Sequence, residues 1–287
     1  MAGRGRGRWW AWAGAVALAV LGARARAEAQ PTQAEPQVPA AWVGTPGKAS
    51  GLLDVRGFYH YASGGRDAWS GTELLSYFDL TDGFSGAFVL RQEARDEVAR
   101  YGTMMLIPQL SDKRYLVLAT GVGNGANFQP VTRLDVQLRG FFDGWRGVMY
   151  DVGGYATWWT SERRQAAQSA ALIFWRLPYI VELRELVTYT DPGLDPGRFH
   201  GKLSAVVLWG ADNHHWLLAR AAVGTEPANE PGMSFALTED RPVANLAVGY
   251  RRWLTADYGV SAEVEVFGQA NTWWRAGVLT SVFADFH

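Results

Sequence analysis

The sequence predicts an all-β protein: a single transmembrane antiparallel β-barrel of about 14 strands, or 12 if two weak segments merge. A signal peptide and a disordered linker precede it. Three observations carry this. Residues 131–140 alternate charged or polar side chains (Arg133, Asp135, Gln137, Arg139) with apolar ones (Leu134, Val136, Leu138). That period of two marks a strand with one wet and one greasy face. The chain opens with an export signal, and aromatic residues crowd the ends of the strand candidates.

The export signal occupies residues 1–27. Arg4, Arg6 and Arg8 form a positive region, residues 9–22 are apolar, and Ala25-Arg26-Ala27 offers a small-x-small cleavage site; Ala27-Glu28-Ala29 competes with it. The apolar run is 14 residues long, shorter than the roughly 20 a membrane helix needs, which disfavours a retained anchor. The chain has no Cys, which excludes a lipidated cysteine and disulfides and suits an oxidising periplasm. Removing the signal leaves 22 basic against 28 acidic residues, a net charge of −6. That disfavours nucleic acid as a partner. Residues 28–50 hold Pro31, Pro36, Pro39 and Pro46 with little to bury and read as a disordered periplasmic linker.

Residues 51–287 form one domain. Strands are expected at 52–63, 70–79, 85–95, 101–110, 115–123, 130–142, 147–160, 167–176, 180–189, 200–209, 215–223, 243–254, 258–269 and 273–286. The segments 70–79 and 167–176 alternate poorly, hence the alternative of 12. Short polar or Gly/Pro turns, such as Ser111-Asp112-Lys113, Asp143-Gly144 and Leu177-Pro178, separate alternate pairs. The other connections are looser, the longest being 225–242. Short periplasmic turns alternating with long outer loops are the barrel convention, and an even strand count leaves both termini in the periplasm.

The polar face supplies the candidate lumen: Arg56, His60, Arg91, Glu93, Arg133, Asp135, Gln137, Arg139, Glu263, Glu265 and Arg275. An Arg or Lys facing lipid at mid-depth costs about 2–4 kcal/mol, so the arginines orient the strands. Either they select solutes in an open channel or they hold the barrel shut as salt bridges; 14 strands fall between filled and open barrels. Candidate interfacial aromatics are Tyr59, Tyr61, Phe142, Trp158, Trp209, Tyr250, Tyr258, Trp273 and Phe286. A soluble sandwich also alternates, but it would need a second sheet over each greasy face. On the last strand Val278, Val282 and Phe286 share a face, like the C-terminal signal read by the barrel assembly machinery; here His287 follows the aromatic.

Phe58-Tyr59-His60-Tyr61 with Trp69, the run from Arg95 to Gly102, and Arg114-Tyr115-Leu116-Val117-Leu118 followed by Asn127-Phe128-Gln129-Pro130 resemble the YaiO family of outer-membrane barrels. The resemblance spans residues 55–287. It implies a bacterial outer-membrane location, with lipid and lipopolysaccharide as surroundings, and takes Arg95 to Gly102 as an outer loop. It implies no settled activity, although members lie near envelope and surface-polysaccharide systems.

The expected role is therefore a passive or accessory channel, in the context of polysaccharide export and in contact with periplasmic export components. A closed scaffold barrel binding a periplasmic partner through residues 28–50 is the alternative. A barrel-wall lipid hydrolase is disfavoured. Ser63 or Ser204 would have to meet His60 or His200, and nothing in the sequence brings them together. Asp191 and Asp195 near His200 echo a rim protease only loosely. No enzyme activity, cofactor or metal site is expected.

Overall fold

The computed structural model describes residues 51–64, 68–81, 83–95, 97–125, 129–145, 147–159, 163–191, 197–227, 240–270 and 273–286. The signal and linker assignments over 1–50 lie outside these residues, as do Asp195, Asn127, Phe128 and His287. Fourteen strands follow in order: β1 (Gly51–Ala62), β2 (Trp69–Thr81), β3 (Phe84–Ala94), β4 (Val98–Ser111), β5 (Arg114–Gly123), β6 (Thr132–Phe141), β7 (Val148–Trp158), β8 (Arg164–Arg176), β9 (Tyr179–Asp191), β10 (Arg198–Ala211), β11 (His215–Pro227), β12 (Asp240–Trp253), β13 (Tyr258–Gln269) and β14 (Trp273–Phe286). Each pairs antiparallel with its sequence neighbours, and β14 pairs with β1 to close the barrel, Gly51 facing Phe286 and Ala62 facing Arg275.

The alternation decides which face is which. On β6, Leu134 and Val136 are 49% and 48% exposed while Arg139 is 5% exposed. In water that would be inverted. It is the pattern of a barrel whose outside meets lipid, where only closed sheets satisfy every backbone group. The same holds on β12 and β13, where Leu246, Val248, Val264 and Val266 face out and Arg251 and Glu265 face in. β2 and β8 are full strands, which excludes the 12-strand alternative. The run from Arg95 to Gly102 is corrected: only residues 95–97 connect, and Val98 already begins β4. The long connection expected over 225–242 shrinks to 228–239 because β11 and β12 pair out to Pro227 and Asp240.

The two ends differ. Connections 82–83, 112–113, 177–178, 212–214 and 254–257 lie at the end that also carries Gly51 and Phe286, so this is the periplasmic end. Connections 124–131, 192–197 and 228–239 lie at the other. At the periplasmic end Lys113 Nζ donates to Asp143 Oδ1 at 2.7 Å, and Arg114 stands 3.7 Å from the same carboxylate. The Lys113 hydrogen bond, then its charge, hold the Asp143 carboxyl below its ordinary value. A lowered carboxyl stabilises the fold above the ordinary carboxylate range and loses that contribution as pH falls through the lowered value. Lys113→Ala is expected to move the Asp143 titration upward, as read by NMR; an unmoved titration would discard the pairing.

Candidate functional site

The lumen is built from inward-facing positions, and its middle is a lattice of ion pairs. Along one wall, Arg251 Nη1 reaches Asp54 Oδ2 at 3.2 Å, and Asp54 accepts from Arg56 Nε at 3.2 Å. Arg56 continues to Glu73 at 3.1 Å, Glu73 to Arg91 at 3.5 Å, Arg91 to Glu93 at 2.8 Å and Glu93 to Arg95 at 2.5 Å. Seven side chains from β12 and from β1 to the end of β3 thus alternate strictly in sign. Beside them Arg220 reaches Glu263 at 2.7 Å and Glu265 at 3.0 Å, and Arg275 reaches Glu265 at 2.7 Å. On the facing wall Asp151 on β7 accepts from Arg139 on β6 at 2.6 Å and from Arg184 on β9 at 2.9 Å. Arg184 also holds Glu182 at 2.7 Å, and Arg133 holds Asp135 at 2.6 Å. Carboxylates shared between two guanidiniums use the geometry that makes Arg the residue for such pairs.

A cavity of about 300 Å³ lies between the walls. Of the predicted lumen residues, Arg56, His60, Arg91, Arg133, Asp135, Gln137, Arg139, Glu263 and Glu265 line it. Glu93 and Arg275 face inward but sit inside the wall, 0% and 4% exposed, engaged with neighbouring ions. Seven arginines and five carboxylates stand among the described lining residues. Gln129, from the 124–131 connection, also lines the cavity and is buried. Beside it Tyr101 lies across β5, where a Cβ on Gly121 would stand 2.0 Å from its hydroxyl. A glycine is required there for the ring to lie flat on the wall.

Toward the periplasmic end the lumen turns apolar. One buried cluster holds Leu52, Leu75, Tyr77, Val89, Ile107, Val117 and Phe283; another holds Met149, Ile173, Ile180, Leu208 and Trp216. Tyr115 and Trp253 pack against both clusters. Their strands, β5 and β12, are seven places apart in a ring of 14, so they stand on opposite sides of the lumen. The polar tips of these rings are tied to aspartates at the mouth. Trp253 Nε1 donates to Asp285 at 2.6 Å, Trp216 Nε1 to Asp212 at 3.1 Å and Tyr77 Oη to Asp79 at 2.9 Å. Apolar side chains from both halves of the wall therefore meet across the periplasmic end.

The aromatic girdles are mostly where alternation puts them. Tyr59, Tyr61 and Trp158 face out near the long-loop end; Phe142, Trp209, Tyr250, Tyr258 and Phe286 face out near the periplasmic end. Neighbouring rings touch: Tyr61 lies 5.6 Å from Trp274 and Phe142 lies 5.1 Å from Tyr150. Trp273 is corrected. It is 6% exposed and packs inside with Trp69, Val243 and Phe267. It shares parity with Arg275, so once Arg275 faces in, Trp273 must, and Trp274 takes the lipid side. Trp253 follows Arg251 inward for the same reason. The sequence signal for both was available in that two-residue spacing; nothing in the 124–131 connection announced Gln129.

The histidines do not assemble a nucleophile site among the described residues. His60 stacks on Trp69 at 6.2 Å, and its ring has no hydrogen-bond partner among the described residues. The Ser63 hydroxyl instead accepts from the Trp274 backbone at 2.8 Å. His200 lies 3.4 Å from Asp240 rather than against Asp191. No group of three or more His, Cys, Asp or Glu suited to a metal ion occurs among the described residues.

No family model and no curated protein matches the chain. Among solved structures the barrel is similar to a bacterial polysaccharide outer membrane secretin, with TM-score 0.54 and 12% identity over 83% of this chain and 98% of that one. It is also similar to a loop-deleted OmpT, an outer membrane protein of Vibrio cholerae, with TM-score 0.50 and 8% identity over 82% and 99% of the two chains. At these identities the likeness is one of fold. The closed 14-strand barrel with a lipid-facing apolar exterior is an outer-membrane protein of the bacterial cell.

Proposed function

We propose that the barrel is a channel of the outer membrane, closed at rest, whose lumen passes uncharged or mixed-charge polyhydroxylated chains such as surface polysaccharide. The observation that carries this is the layered lumen: a polar middle of paired charges above an apolar periplasmic end bridged by Tyr115 and Trp253. Hydrophobic constrictions close pores by excluding water. A lumen whose arginines are already paired offers many hydrogen-bonding groups and little net field, which suits a neutral or weakly charged saccharide better than a free ion. The saccharide assignment rests also on the sequence resemblance to the YaiO family.

Single-channel recording of the refolded full-length protein tests the reading. At rest the protein is expected to give no steps above bilayer background. An opened barrel, described in the Discussion, is expected to conduct and to be blocked by added oligosaccharide. Steady conductance of the unaltered protein would refute closure at rest. Silence of the opened barrel, with folding verified, would remove the channel and leave a scaffold barrel.

A further inference from the structure

The lipid face of this barrel carries no charge along the inner part of its strands, with one exception among the described residues. Glu185 is the central residue of β9, with six strand residues on either side. It shares its face with the exposed Leu183, opposite to the inward Arg184 and Leu186. Other charged side chains on this face, such as Arg100, Arg164, Arg176 and Arg252, lie within three residues of a strand end, where they reach the headgroups. Glu185 has no hydrogen-bond or ion-pair partner among the described residues. A polar side chain directed into hydrocarbon without a partner is costly and marks a function by default.

A second polar group stands beside it. Gln168 on β8 faces the same way and likewise has no partner among the described residues. The register pairs Ala170 with Glu185 and Gln168 with Val187, so Gln168 and Glu185 are diagonal neighbours on adjacent strands. The surface around Gln168 is low. Ala166 and Ala170 flank it on β8, Gly154 faces it on β7, and Ala156 faces Ala166. One side chain is an amide donor and the other a carboxylate acceptor, and neither can satisfy itself.

We propose that this face of β7–β9 is the interface with a second copy of the chain, related by a two-fold axis along the membrane normal. A two-fold interface is self-complementary: if Gln168 meets Glu185 of the partner, Glu185 meets Gln168 of the partner. Two adjacent unpartnered groups, one donor and one acceptor, are what that symmetry consumes. The small residues let the two walls approach closely, as in other intramembrane contacts. The proposal concerns the outside of the barrel and is independent of the state of the lumen.

The chain has no Cys, so single cysteines report contacts without background. In outer membranes under mild oxidation, Ala170→Cys is expected to give a disulfide-linked dimer. Val55→Cys, on the opposite side of the ring and equally lipid-facing, is expected to give none. In detergent, mass measurement by light scattering should show a dimer that Glu185→Leu weakens at least about tenfold, the scale of losing two intramembrane hydrogen bonds. Glu185→Gln, which keeps an acceptor, should retain it. Heat-dependent gel migration verifies that each barrel is folded. A monomer at all concentrations, equal cross-linking at both cysteines, linkage only to a different protein, or a dimer indifferent to Glu185→Leu would each overturn the proposal.

Discussion

Tyr115→Ala combined with Trp253→Ala is expected to turn a silent barrel into a conducting one, raising conductance at least about tenfold above the unaltered protein, because a hydrophobic constriction gates by excluding water. The two rings stand on opposite sides of the lumen and are the side chains that pack against both apolar clusters. Removing both takes away what joins the clusters and admits water between them. The fold is expected to survive, because the backbone ladder of 14 strands does not depend on either ring. Single substitutions should fall between, since each leaves one bridge. Trp209→Ala, which removes a lipid-facing ring near the same end of the barrel, should leave the protein silent. If it opens the barrel equally, loss of membrane anchoring rather than loss of the bridge would be the cause.

Asp151→Ala is expected to lower stability by about 3–5 kcal/mol, the usual consequence of removing one partner from a buried ionic group. Asp151 is 0% exposed and accepts from Arg139 and Arg184. Without it two nearly buried guanidiniums face each other across the gap. Arg184 keeps Glu182, so most of the loss falls on Arg139. The temperature at which the barrel shifts from its folded to its unfolded gel mobility measures this. Adding Arg139→Met to Asp151→Leu should recover most of the loss, since an apolar pair of similar volume often matches a buried ion pair. No recovery would mean that Asp151 acts through something other than its charge.

The sequence made the wall legible where the lumen is charged and illegible where it is not. On β6 every inward residue from Arg133 to Arg139 is polar and every outward one from Leu134 to Leu138 apolar, so parity could be read directly. On β8 the run Leu172, Ile173, Phe174 and Trp175 is apolar on both faces, outward at Leu172 and Phe174 and inward at Ile173 and Trp175. Alternation vanishes wherever lipid and the apolar end of the lumen lie on the two sides of one strand. That is why residues 167–176 alternate poorly, and why the closing layer, built from Tyr115, Trp216 and Trp253, leaves no alternation signal in the sequence. Aromatic type alone points Trp273 to the girdle; parity with Arg275 turns it inward, as parity with Arg251 turns Trp253 inward. The ion pairs along each wall depend on register and reach across strands. No spacing in one chain encodes that Arg251 meets Asp54 197 positions away.

The pairing of β1 with β14 also sets the entropic cost of closing the barrel. Each hairpin joins strands through its own connection, whereas even the nearest residues joined at the seam, Ser63 and Trp274, are 211 positions apart. By the logarithmic growth of loop entropy, closing that distance costs about 4 kcal/mol more than closing a two-residue turn. Until that pairing forms the sheet has to wait, open along two edges, β1 and β14. During that wait β1 presents an unpaired row of backbone donors and acceptors, the hazard of any free edge. Until β14 docks, that edge is open to pairing with any other extended chain.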